Sequence, residues 1–259
     1  MGDISVGAPL SVRVRVLFDI DGTLLLTDGA GRTAIRAALE AVYGTAGDLE
    51  DYTFHGKTDP QIVVELMTGA GLPKAEVRRL MPEVWPAYLD RLEGELAVRR
   101  SEGRIKLLPG IVDLLETLSG REDVLLGLLT GNIEEGARRK LEAAGLAAHF
   151  KIGAYGSDSE IRSEIARVAE ERSRSVCGNG ASAVVVVGDT PEDVRCARAV
   201  GGFAMAVATG RHGIEELVAA GADAVFEDFS DTEKVIHCLL TQSGKGTLTG
   251  GAGGGSGDR

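Results

Sequence analysis

Residues Ala183–Val187 read AVVVV, a run of small and β-branched apolar residues with no polar alternation. Such a run suits a strand buried on both faces, and therefore a sheet covered on both sides. Val12–Phe18 (VRVRVLF) and Val124–Leu129 (VLLGLL) read as further strands, and Phe203–Val207 and Ala224–Phe226 as weaker ones. Helical patterns follow at Ile133–Ala144, Glu192–Val200 and Gly213–Ala220. Strands alternating with helices imply right-handed crossovers and a mainly parallel sheet, an α/β, Rossmann-like core.

One stretch breaks the rhythm. Arg32–Tyr43 looks helical, Asp59–Gly69 opens with Asp and Pro as a helix start does, and Lys74–Arg100 is helical in pattern. Pro82 and Pro86 are expected to bend or split that last helix. No strand intervenes, so residues 28–104 are expected to form an inserted all-helical cap. The core would comprise 12–27 and 105–242, resuming with a helix over Leu108–Leu118. Residues 1–11 are small and polar, and 243–259 are rich in Gly and Ser; both are expected to be flexible tails.

Composition narrows the function. With 28 Lys+Arg against 39 Asp+Glu, the formal net charge is −11, the wrong sign for a nucleic-acid binder. A small anionic substrate is not excluded, because a bound cation and a few local donors can hold one. No apolar run approaches the roughly 20 residues of a membrane span, and no signal-peptide pattern is seen. The cysteines Cys177, Cys196 and Cys238 have no short spacing; they read as reduced thiols in a cytoplasmic protein.

The chemistry-bearing residues cluster at the strand ends. The first strand runs into Asp19-Ile20-Asp21-Gly22-Thr23, placing two carboxylates on one side of an extended chain where α/β sheets bind ligands. The third runs into Gly188-Asp189-Thr190-Pro191, with Asp193 four residues after Asp189. Asp193 can also be read as a first-turn carboxylate complementing the helix dipole. Carboxylates without His or Cys favour Mg²⁺ over zinc. The second strand ends in Thr130-Gly131-Asn132, where a hydroxyl, a backbone N–H and a helix N-terminus form a phosphate-binding corner, or where Asn132 merely caps the helix.

These three motifs in this order, with a helical insertion after the first, resemble the haloacid dehalogenase superfamily of phosphohydrolases. The stretches GAGRTAIRAALEAVYG (29–44), HGKTDPQI (55–62), LLTGNIEEGARRKLEAAGL (128–146) and VVVVGDTPEDVRCARAVG (184–201) are similar to its phosphoglycolate-phosphatase-like members. The resemblance implies that Asp19 attacks phosphorus, Asp21 is the general acid/base, and Thr130 bonds the transferring phosphoryl group. It further implies that Asp19, Asp189, Asp193 and the backbone carbonyl of Asp21 surround Mg²⁺. The family also uses a fixed cation, for which Arg162 is favoured over Lys151; Ile161 and Ser163 depart from the usual flanking Asp and Asn.

In the cap, His55 and Lys57 occupy a loop expected to face the active site and are candidate substrate contacts, although Thr58-Asp59 is also a good helix start. Trp85 and Tyr88 read as packing residues. The resulting expectation is a Mg²⁺-dependent phosphatase acting on a small phosphorylated metabolite, with no nucleic-acid or membrane partner and a homo-oligomer left open. A phosphotransferase or sugar-phosphate mutase would use the same aspartates. Asp21 argues against a dehalogenase, and the full set of core motifs against a non-catalytic binding protein.

Overall fold

The structure is a computed structural model that describes residues 12–177 and 183–242. The expected tails at 1–11 and 243–259 lie outside the described residues. In chain order the elements are β1 (Val14–Phe18), β2 (Leu25–Leu26), α1 (Ala30–Tyr43), α2 (Asp59–Gly69), α3 (Lys74–Ser101), β3 (Lys106–Leu107) and α4 (Ile111–Ser119). There follow β4 (Val124–Leu129), α5 (Glu134–Ala144), a short 3-10 turn (Ala147–His149), β5 (Ile152–Ala154), α6 (Arg162–Cys177) and β6 (Ala183–Gly188). The chain continues through α7 (Pro191–Ala199), β7 (Phe203–Val207), α8 (Ile214–Ala219), β8 (Ala224–Phe226) and α9 (Thr232–Thr241).

Six strands form one parallel sheet in the order β5-β4-β1-β6-β7-β8. The unalternating runs sit at its centre because both faces are covered. Val14, Val16, Phe18, Val185 and Val187 join one apolar layer with α4 and α9. Leu17, Val184 and Val186 join the opposite layer with α6 and α7. The chain moves outward from β1 through β4 to β5, then returns beside β1 as β6. That reversal opens a crevice at the carboxyl ends of β1 and β6, where open α/β sheets bind ligands.

Helices α1, α2 and α3 lie between β2 and β3 and have their own apolar core, including Leu39, Met67, Val77 and Leu92. β2 and β3 form a small antiparallel ribbon, with Leu25 opposite Leu107 and Leu26 opposite Lys106. Both chain crossings between sheet and helices therefore run side by side. Asp28 adopts a left-handed conformation (φ 48°) beside them, its carbonyl accepting from Arg99 Nε at 2.9 Å and its carboxylate from Arg104 Nε at 2.6 Å.

The long helix corrects part of one expectation, since the prolines do not split it. α3 is continuous over 28 residues, through Pro82 and Pro86. Both prolines lie on its exposed side, where water can hydrate the carbonyls that lose their N–H partners. Val77, Val84, Tyr88, Leu92 and Leu96 meanwhile bury the other side.

Candidate active site

Because β1 lies between β4 and β6, the residues that follow these strands emerge side by side. Asp19, Thr130 and Asp189 are all buried there. Gly22 lets the first loop turn back: its φ is +86°, and a Cβ would lie 2.5 Å from Asp189 Oδ2. Only glycine adopts that conformation at such an approach without strain.

Carboxylate oxygens of Asp19, Asp189 and Asp193 lie within 4.8 Å of one another. Arg162 Nη2 pairs with Asp193 Oδ1 and stands 3.7 Å from Asp19 Oδ2. Thr23 Oγ1 donates to Asp189 Oδ1 at 3.1 Å. Burial, opposed by Arg162 and reinforced by Asp193 and Asp21, pushes the Asp19 carboxyl up to about 6. Burial, then Asp193 and Asp19, raise Asp189 well above the ordinary carboxylate range. Three buried carboxylates around one guanidinium are short of positive charge, and their oxygen-only donor set suits a hard divalent cation such as Mg²⁺. Asp193 also fastens the start of α7. Its Oδ2 accepts from Thr190 N at 3.0 Å and from Thr190 Oγ1 at 2.6 Å, closing a capping box there.

Arg162 and Lys151 stand in different surroundings. Arg162 is buried; burial opposes its charge, and Asp193 and Asp19 outweigh burial to raise its pKa. Among the described residues, its Nε has no hydrogen-bond partner. Lys151 is exposed and lines a different cleft.

Asp21 stands outside the acidic cluster. Its Oδ2 accepts from Asn132 Nδ2 at 2.8 Å and from Lys140 Nζ at 2.6 Å. The Asn132 side chain therefore does not cap α5; it also donates to Thr130 Oγ1 at 2.9 Å. The helix start, one part of the expected anion corner, is already engaged. The first N–H groups of that helix are occupied, Ile133 N donating to Asp59 Oδ2 at 2.8 Å and Glu134 N to Ser157 Oγ at 3.2 Å. A carboxylate from the inserted helices has taken the place the helix N-terminus offered an anion. Thr130 and the backbone at Gly131 and Asn132 remain at the cavity wall.

The inserted helices close over this edge and leave a cavity of about 680 Å³, within the range of small-molecule sites. Asp59 N donates to Gly131 O at 2.8 Å, and Thr58 Oγ1 to Glu160 O at 3.0 Å. Thr58, one residue before the Asp59 expected to start the helix, caps α2 by accepting from Gln61 N at 3.2 Å. His55 and Lys57 line the cavity. The His55 imidazole is held below its ordinary pKa by partial burial and by Arg211 and His212. Lys57 departs from the expected open contact: its ammonium pairs with Glu65 Oε2 at 2.6 Å and lies 4.1 Å from the Tyr52 ring centroid. Trp85 packs within the helical insertion, and Tyr88 is buried against Gly136 of α5 while also lining the cavity.

The sequence model of the haloacid dehalogenase-like hydrolase family matches residues 16–198, from β1 into α7. This chain belongs to that family. It is 31% identical to a phosphoglycolate phosphatase of Synechococcus elongatus over 231 residues, covering 88% of this chain and 99% of that one. It is 26% identical to a probable phosphatase, IndB, of Dickeya dadantii, over 88% of this chain and 95% of that one. A predicted phosphatase from Clostridium acetobutylicum shares the fold, with a TM-score of 0.66, 20% identity and coverage of 88% and 100%. The chain is thus a haloacid dehalogenase-like hydrolase of the phosphatase kind. Motif reading of this family member missed Lys140 and the docking role of Asp59. The available signal for Lys140 was its place on the buried stripe Gly136, Ala137, Lys140, Leu141 of α5.

Proposed function

We propose that this phosphatase hydrolyses a small phosphomonoester through an aspartyl-phosphate on Asp19, with a short phosphorylated carboxylic acid of the phosphoglycolate type as substrate. The observation that carries the reading is the buried carboxylate of Asp19, 3.7 Å from the Arg162 guanidinium and two residues from Asp21, at the floor of the cavity. Similarity to the Synechococcus phosphoglycolate phosphatase along nearly both full lengths supports the substrate class.

Asp19 supplies the attacking oxygen, and the ester P–O bond breaks as the P–O bond to Asp19 forms. Asp21 gives its proton to the departing alkoxide, then takes one from the water that attacks the same phosphorus. Phosphate leaves and the Asp19 carboxylate is restored. Arg162, with Thr130, offsets charge on the phosphoryl oxygens. Asp19, Asp189 and Asp193, with the Asp21 carbonyl, would hold Mg²⁺, which when bound supplies further charge stabilisation. Asp193 in addition holds Arg162 in place.

Release of inorganic phosphate from phosphoglycolate and several other phosphorylated metabolites, with Mg²⁺ and after its removal by EDTA, tests the reading. Phosphate is expected only with the metal, and Asp19→Asn, a near-isosteric but poor nucleophile, should lower turnover by about 10³-fold or more with the fold intact. Transfer of phosphate to a second sugar in place of its release would make the protein a phosphotransferase. Wild-type turnover in Asp19→Asn would refute the covalent mechanism.

A further inference from the structure

Lys140 is a lysine where a helix should present an apolar residue. On α5 it lies on the buried stripe with Gly136, Ala137 and Leu141, its side chain only 5% exposed. Lysine is almost never buried without a partner, and here the partners are specific. Nζ donates to Asp21 Oδ2 at 2.6 Å and to Asn132 Oδ1 at 2.7 Å, and Asn132 Nδ2 donates to the same Asp21 oxygen at 2.8 Å. Lys140, Asn132 and Asp21 thus close a ring of three hydrogen bonds.

The ring has a directional result. Both donors converge on Oδ2, while Oδ1 has no hydrogen-bond partner among the described residues, and the Asp21 side chain is 43% exposed towards the cavity it lines. Two bonds to one oxygen fix the carboxyl plane and leave the other oxygen to meet a ligand. We propose that Lys140 is a positioning residue for Asp21, holding Oδ2 so that Oδ1 is aimed at the ester oxygen that leaves. The inference rests on the phosphatase reading above and deepens it: it assigns the residue that aligns proton delivery in the first step, in which the ester P–O bond breaks and Asp21 passes its proton to the alkoxide. Orientation of this kind is a large part of what an active site contributes to rate.

The test compares leaving groups. The parameter kcat/KM reports transfer to Asp19, where an alkyl alkoxide needs the proton and 4-nitrophenolate does not. Wild type, Lys140→Met, Lys140→Arg, Asp21→Asn and the double variant Asp21→Asn/Lys140→Met are assayed on glycerol 1-phosphate, phosphoglycolate and 4-nitrophenyl phosphate, each with its melting temperature. Lys140→Met is expected to lose about 30-fold or more on both alkyl esters and about 3-fold or less on the aryl ester, part of the 10²–10⁴ that general-acid catalysis supplies. Lys140→Arg should recover part of the alkyl activity. The double variant should be no worse than Asp21→Asn, because the two residues act as one unit. An equal loss on all three esters would mean Lys140 only supports the fold, and a loss confined to phosphoglycolate would make it a contact to the substrate carboxylate; either overturns the proposal. If Asp21→Asn is selective against alkyl esters but Lys140→Met is not, the assignment of Lys140 fails and the phosphatase reading stands. If Asp21→Asn itself shows no selectivity, the acid role of Asp21 fails and the proposal with it.

Discussion

Asp59 does three things from one position. It starts α2, its backbone N–H bonds Gly131 O, and its carboxylate takes the Ile133 N–H at the head of α5. Burial raises its pKa to about 6, with Lys140 and the Ile133 N–H opposing and Asp21 reinforcing the shift. A carboxyl raised in this way binds its proton more tightly folded than unfolded. Stability from that proton is therefore full below the ordinary pKa and is lost as pH rises through about 6. Asparagine keeps an acceptor for Ile133 but carries no charge. Asp59→Asn should consequently gain melting temperature relative to the native protein as pH is raised from about 4 to about 7, and level off above. A difference constant across that range would show that Asp59 does not titrate as its surroundings require. The same residue marks a limit of sequence reading. Thr58-Asp59-Pro60 is legible as a helix start because capping is local. That the carboxylate caps a second helix, 74 residues away along the chain, is set by packing of the inserted helices and leaves no local pattern.

At the scale of elements, legibility followed burial. The central strands could be read because a sheet covered on both faces needs unbroken apolar runs, and β6 and β4 have them. The two three-residue strands are too short to carry a period: β8 is legible only as a weak apolar run, and β5, Ile152–Ala154, where Gly153 interrupts the run, not at all. α6 was missed although it begins at Arg162, because its charged face dilutes the apolar stripe of Ile165, Ala166 and Ala169. Lys140 was missed for a related reason: in EEGARRKLEAA it follows two arginines and reads as one more solvated charge. The strand-end motifs were legible because each residue lies next to the strand that places it. The continuity of α3 was not, since a proline's local penalty is fixed while its neighbours' packing is not. Pro82 is on the exposed side and in the interior of that helix. Replacing it restores an N–H to the Arg78 carbonyl without touching the buried face. Pro82→Ala should therefore stabilise the protein by about 1–3 kcal/mol, read as a rise in melting temperature. A fall would mean that the packing of α3 depends on the proline's local geometry.

For the molecule as a whole, the decisive contact is between the inserted helices and the carboxyl edge of the sheet. Its tightest point is Gly131, where a Cβ would lie 2.2 Å from Lys57 O and 3.1 Å from Thr58 Cα. The opposing groups are backbone on both sides, so neither can swing away as a side chain would. Hydrogen bonds from Asp59 N to Gly131 O and from Ile133 N to Asp59 Oδ2 flank the contact, and the ion pairs Arg78–Glu160 and Arg139–Glu93 lie further along the seam. The two chain crossings run together in the β2–β3 ribbon, so the helices can lift from the sheet as a unit, parting from Ile133 and Ala143, which pack in their apolar cluster. Closure of such a lid excludes water and completes the set of groups around a substrate. Alanine at 131 keeps the backbone N–H at the end of β4 and leaves Asp19, Asp21 and Arg162 unaltered, but it must push the 57–58 backbone away. Gly131→Ala should thus keep the native circular-dichroism spectrum, become more susceptible to proteolysis in the 53–58 loop, and lose about 10-fold or more in kcat/KM for a small phosphorylated acid, equivalent to about 1.4 kcal/mol of transition-state stabilisation. If kcat/KM and cleavage both matched the native protein, the docked arrangement of the helices would have no part in turnover, and the sheet edge alone would carry the chemistry.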